Sequence, residues 1–380
     1  MAPAWCGAPA GTWRPPGAAS RSGLPARALG DRPDLPDETV WPQPWFTYEA
    51  APQAALAASG TDHADRGALV MSETVTQWIR QHAHPLTTLD PEAPLTDLSP
   101  LAGLIGDAEI VAIGAMTRQS HELSALAHRT VRLLVEDLGF RSLALEGDDA
   151  ARIGLGEYIG SGTGNPEASL SGARTFWRTE EMLDLVRWMR SYNRRNPDAP
   201  VRFTEDLGSS GTPRPDDHAA IDRDLTESVR RWHEHSGDRI VYLGGLAHTA
   251  NGDARTTYPT SPPVTHRNAG SHMREYFGSG YLSIGLTFHH GMAPYPIPAP
   301  PAEFADAVLG SAGLDAYVLD LRGEGPAAAR AWLDAPARTR VVRSRLRPGR
   351  QRRLPSFWWV VGRLVRRRPP LPSGHARAPP

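Results

Sequence analysis

Residues 108–146 read AEIVAIGAMTRQSHELSALAHRTVRLLVEDLGFRSLALE, and the change of period along them decides the fold class. AEIVAIG (108–114) is a short, nearly continuous apolar run, the pattern of a strand buried on both faces. Between 120 and 138 the period lengthens: Leu123, Leu126, Leu133, Leu134 and Leu138 fall on one side of a helix, and Gly139 suits the residue that ends it. RSLALE (141–146) is a strand again. The alternation continues downstream. A helix over 179–194 starts on the N-cap Thr179 and carries Met182, Leu185, Val186 and Met189 at i, i+3, i+4 and i+7. VRFT (201–204) is a strand. The helix at 217–235 is striped by Ile221, Leu225, Val229 and Trp232 and closed by Gly237. Strands at 239–243, 281–288 and 315–320 follow. Strand–helix alternation at this spacing implies an α/β fold, a mostly parallel sheet flanked by helices.

Charge and proline mark the limits of that fold. The chain has 380 residues and a formal net charge of −1, and all 41 basic residues are arginine. The stretch from Asp31 to Asp334 holds all 42 acidic residues against 25 arginines, a net of −17. The last 46 residues hold 13 arginines and the first 30 hold 3, neither with any acid. An acidic middle argues against broad nucleic-acid binding by the main domain. Residues 1–70 carry 10 prolines and 335–380 carry 8, about twice the density between them, which works against regular structure. We therefore expect a disordered Pro/Ala/Gly-rich extension over 1–70, one domain over 71–342 and an Arg/Pro-rich tail over 343–380. Met71 is a second candidate start. The single cysteine, Cys6, excludes an internal disulfide and a cysteine-based zinc cluster. No apolar run approaches the ~18–20 residues of a membrane span, and no apolar core of a secretory leader is present. The expectation is a soluble, cytoplasmic protein with a small-molecule substrate.

In an open parallel sheet, ligands bind beyond the carboxyl ends of the strands. That rule selects Arg118 after the first strand, Glu146 at the end of the second, Asp206 after the third and His248 after the fourth. A carboxylate entering a site from an apolar strand is desolvated, so Glu146 is expected to have a raised pKa suited to acid–base work; a structural ion pair with Arg118 is the competing reading. His248 is either a base or a hydrogen-bonded loop histidine. Asp206 equally suits a turn, and Glu122, beside His121 at a helix start, suits the helix dipole. Zincin, nucleophile-elbow and dinucleotide-loop patterns are absent. No cofactor is expected. No metal site is expected either, since His233/His235 and His289/His290 lack an obvious third ligand.

These residues resemble the erythromycin esterase family over about Trp78 to the early 340s. The family's G-E-x-x-H-G-x-x-E frame stands here as GAMTRQSHE (114–122), followed by Gly139-Phe140 and a strand ending in Glu146. FWRTEEMLDLVRWMRSYN (176–193) resembles its tryptophan-and-acid helix, VRFTEDL (201–207) its strand ending in Asp206, and LGGLAH (243–248) its W-A-H-N-A-H. The late glycine-rich region appears as GSHMREYFGSGYLSIG (270–285). The resemblance implies a metal-independent hydrolase that activates water against an ester, including the lactone of macrolides. It also implies where this chain departs. The motif glutamate is Ala115, the base histidine is Arg118, the first histidine of the later pair is Gly245 and a basic helix residue is Ala127. Arginine stays protonated near neutrality, so Arg118 holds an anion and is no general base. Our reading is a divergent hydrolase with Glu146, His248, Arg118 and Glu122 in catalysis and Asp206, His121 and Trp177 in substrate binding. The alternative is an inactive small-molecule-binding member or decayed gene product. For the tail, three readings stand: an out-of-frame end of a GC-rich gene, a nucleic-acid-binding arm, and a segment attracted to anionic lipid.

Overall fold

The computed structural model describes residues 45–50, 73–147, 149–207, 217–252, 255–257, 264–292, 296–302, 304–335, 338–342 and 356–361. At its centre are five parallel strands: β1 (Ile110–Ala115), β2 (Ser142–Leu145), β3 (Arg202–Phe203), β4 (Ile240–Gly245) and β5 (Tyr281–Met292), in the order β5-β1-β4-β2-β3. Insertion of β4 between β1 and β2 aligns Ala115 with Gly245 and Leu145 with Leu243. The carboxyl ends of β1, β2 and β4 therefore open at one rim.

Side-chain alternation splits the core in two. Val111, Ile113, Leu143, Leu145, Val241 and Leu243 face one way. They are covered by α1 (His121–Glu136) and α2 (Glu180–Arg195) through Leu123, Leu126, Met182 and Leu185. Ile110, Ala112, Ala144, Ile240 and Tyr242 face the other way, under α3 (His218–Ser236) and α4 (Ala269–Phe277). Burial on both faces is why the strands read as continuous apolar runs. The helix ends follow the sequence reading closely. Ser120, Thr179 and Asp217 accept from the backbone N–H three residues on, and Gly139 and Gly237 take φ of +73° and +68°.

Three segments pair in ways the sequence did not indicate. The 315–320 strand is reduced to Tyr317–Val318 and pairs antiparallel with His84–Pro85, outside the main sheet. Trp45–Ala50, within the extension expected to lack structure, is a strand paired with Arg338–Val342 and Arg255–Thr257. Its aromatic and β-branched composition suits that conformation. Ser356–Val361, within the tail, pairs antiparallel with β5. The remaining expectations for 1–44, 51–72, 343–355 and 362–380, including the start at Met71 and the basic runs, lie outside the described residues. No helix among the described residues is long and apolar enough to cross a membrane.

Candidate active site

Three strand ends supply the cluster. Glu146, one residue past β2, is 7% exposed. Its Oε2 accepts from Arg118 Nη1 at 2.9 Å and from the Gly245 N–H at 2.7 Å, and its Oε1 accepts from Arg118 Nη2 at 3.2 Å. Arg118, in the loop after β1, is thus bidentate on the carboxylate, and its guanidinium stacks 3.8 Å above the Phe176 ring and 5.1 Å from that of Trp177. Trp177 in turn donates its indole N–H to the Glu146 carbonyl at 3.2 Å.

His248 arrives on the short helix Leu246–Thr249 directly after β4. That helix crosses the end of β1 so closely that a Cβ at Gly114 would stand 1.8 Å from Thr249 Oγ1; position 114 must be glycine for the histidine to reach the site. His248 Nε2 lies 4.0 Å from Glu146 Oε1, and Nδ1 lies 2.7 Å from Asp222 Oδ1. Asp222, fully buried in α3, also receives His266 Nε2 at 3.0 Å and the Ala269 N–H at 3.0 Å. An ionised carboxylate only accepts, so opposite an ionised Asp222 a neutral His248 carries its proton on Nδ1 and turns the Nε2 lone pair toward Glu146.

The electrostatics correct the sequence expectation for Glu146. Burial does act to raise its pKa, but the Arg118 guanidinium and the Gly245 N–H, joined by His248 when that ring is protonated, outweigh it and hold the carboxyl down at about 2. Glu146 is therefore a permanent anion near neutrality and not a proton carrier. Tyr242, on the α3/α4 side of β4, has a buried hydroxyl without a hydrogen-bond partner among the described residues. Burial first, then the charges of Glu146 and Asp222, push its pKa well up, so it stays a neutral phenol.

The structure brings together Arg118, Glu146, His248 and Trp177 from the sequence-selected residues. The other three have different surroundings. Glu122 accepts from the Ser120 hydroxyl at 3.1 Å at the start of α1. His121 is exposed and sits 2.7 Å from Glu181. Asp206 is exposed and its charge acts on Asp224, whose pKa is raised by burial and by Asp206. Asp222 and Tyr242 were not selected. Asp222 carries a usable signal: it lies three residues before Leu225 and seven before Val229, a carboxylate on the buried stripe of its helix. No group of three or more histidine, cysteine or acidic residues placed to hold a metal ion occurs among the described residues.

Comparison with known proteins follows this geometry. The family model described as erythromycin esterase matches residues 135–213 and 208–357, more than half of the chain. The chain belongs to the erythromycin esterase family. An erythromycin esterase type II of Escherichia coli is 29% identical over 118 residues, which is 31% of this chain and 28% of that protein. Two solved structures share the fold. One, a Bacillus cereus protein, has a TM-score of 0.62 at 21% identity and covers 78% of this chain and 97% of its own. The other, a succinoglycan biosynthesis protein, has a TM-score of 0.59 at 18% identity and covers 77% of this chain and 97% of its own.

Positions 118 and 245 are in contact through the guanidinium. A Cβ at Gly245 would lie 3.0 Å from Arg118 Nη1 and 3.5 Å from Glu146 Oε2. Arg118 fills the space that a side chain at position 245 would need.

Proposed function

We propose that this protein hydrolyses an ester or lactone of a hydrophobic small molecule, macrolide-type in the first instance, with His248 as the general base. The observation that carries this reading is the Asp222–His248 hydrogen bond, which leaves Nε2 unprotonated beside the Arg118–Glu146 pair. His248 Nε2 takes a proton from water as the water attacks the substrate carbonyl. The imidazolium formed lies 2.7 Å from Asp222 Oδ1 and 4.0 Å from Glu146 Oε1. Arg118 spends two of its five N–H donors on Glu146 and has others for the developing oxyanion. Collapse of the tetrahedral intermediate returns the proton from His248 to the leaving alkoxide. Every proton in this scheme moves on a protein side chain, so it calls for no metal.

One observation favours the inactive alternative. Arg118 and Glu146 neutralise each other in a closed bidentate pair where the family pattern places a histidine. The two readings separate on one experiment, incubation of the full-length chain with a panel of macrolides and simple aryl esters followed by mass spectrometry. Hydrolysis that falls by about 10²–10⁴ in His248→Ala supports the hydrolase. Hydrolysis seen only after Ala115→Glu combined with Arg118→His supports the inactive reading.

A further inference from the structure

Between α1 and α2, beside Arg118, lies a half-open, mostly apolar cavity of about 40 Å³, walled in part by Leu123, Ala127, His128, Trp177, Met182 and Leu185. Such a space holds roughly three water-sized atoms. The ionised side chains on its wall are Arg118 and Glu181, and each is already paired, with Glu146 and with His121. A charged ligand therefore gains no free counter-charge there. His128 differs from both. It is 2% exposed, and its Nε2 has no hydrogen-bond partner among the described residues, a costly state for a buried polar atom. Burial, aided by Arg132, pushes its pKa down to about 4, so the ring is neutral near pH 7 and offers one donor and one acceptor.

His128 also lines a second, open groove of about 500 Å³ farther along the same helices, with Arg132, Glu136, Trp188 and Arg195. It is the one lining residue the two spaces share. Trp188 backs it edge-on, 5.6 Å between ring centroids. His128 thus lines both a small apolar chamber beside Arg118 and a roomier groove with charged walls.

We propose that the inner cavity is the subsite for a short, uncharged acyl substituent of the substrate, roughly three heavy atoms long, with a hydroxyl or carbonyl end that hydrogen-bonds to His128. A macrolactone ring does not enter it; the ring of such a substrate stays outside, with only a short substituent of the ring inserted. This inference rests on the hydrolase reading for what is cleaved, but not for what is bound.

The test uses the full-length chain and two probe series. With p-nitrophenyl acetate, butyrate and octanoate, the expected result is kcat/KM at least tenfold higher for the short esters. His128→Ala, which enlarges the chamber, is expected to shift the preference toward octanoate, and Ala127→Leu, which fills the chamber, abolishes the short-chain advantage. In parallel, ligand-observed NMR with 1-propanol and 1-octanol reads binding without chemistry: saturation transfer to propanol in the unmodified chain, lost in Ala127→Leu. Circular dichroism verifies that each variant is folded, and either variant alone suffices. Octanoate cleaved as well as butyrate, or propanol contacts unchanged by Ala127→Leu, overturns the subsite. Propanol binding with the expected variant response but no hydrolysis of any ester keeps the subsite and overturns the hydrolase reading.

Discussion

Replacing Glu146 with glutamine removes one charge while keeping the side chain's size, and its effect follows from the hydrogen bonds it breaks. The carboxylate accepts at both oxygens, from two Arg118 nitrogens and the Gly245 N–H. Glutamine offers one oxygen and turns an amide N–H₂ toward a donor. The depressed pKa sets the size of the loss. A carboxyl held at about 2 against an ordinary value of 4.5 contributes on the order of 3 kcal/mol of stability. Because the folded-state pKa is lowered, that contribution is fully present above pH ~4.5 and disappears as pH falls through ~2. Urea unfolding of both proteins at pH 7 and pH 3 checks this. The unmodified chain should exceed Glu146→Gln by about 3 kcal/mol at pH 7, shrinking to less than half of that at pH 3. Subtracting the variant cancels carboxylates that titrate alike in both. Equal stabilities at pH 7, or a gap that persists undiminished at pH 3, would refute the ion-pair account.

Other expectations follow from the same contacts. Arg129 is wholly buried in α1 and pairs with Asp97 at 2.6 Å while also donating to the Pro94 carbonyl; Asp97→Ala strands that charge and should cost about 3–5 kcal/mol in urea unfolding. Gly245→Ala forces Arg118 to move and should destabilise the unmodified chain but not Arg118→His. The double-mutant cycle should give a coupling of about 0.5–3 kcal/mol, and strict additivity would show that the two positions are independent. His248→Ala should lower kcat by about 10²–10⁴, read by ester turnover, and should also lower the urea midpoint, because the buried Asp222 carboxylate loses one of its donors.

The fold was legible because period changes are local. The switch from AEIVAIG to the leucine stripe of α1 and back to RSLALE locates β1, α1 and β2 within a residue or two. What pairs with what was less visible. Tyr317–Val318 is as apolar as β2, yet it joins His84–Pro85, since an apolar run states that a strand is buried and not beside which neighbour. Among site residues, Arg118, Glu146 and His248 were found by the strand-end rule. Asp222 was hidden inside a helix stripe, where it and Asp224, both between Ile221 and Leu225, read alike as polar interruptions. Burial of Glu146 was anticipated correctly and its consequence was not. The pKa depends on a sum over Arg118, His248 and Gly245, and their convergence is a property of the assembled rim.

The central claim is that Asp222 sets His248 up as the base. The most direct measurement is kcat/KM for the best-cleaved ester or macrolide in the unmodified protein and in Asp222→Asn, an isosteric change that no longer fixes the Nδ1–H tautomer. The account predicts a loss of about 10²–10⁴ with binding of a non-hydrolysable analogue retained. Turnover unchanged in Asp222→Asn would contradict it.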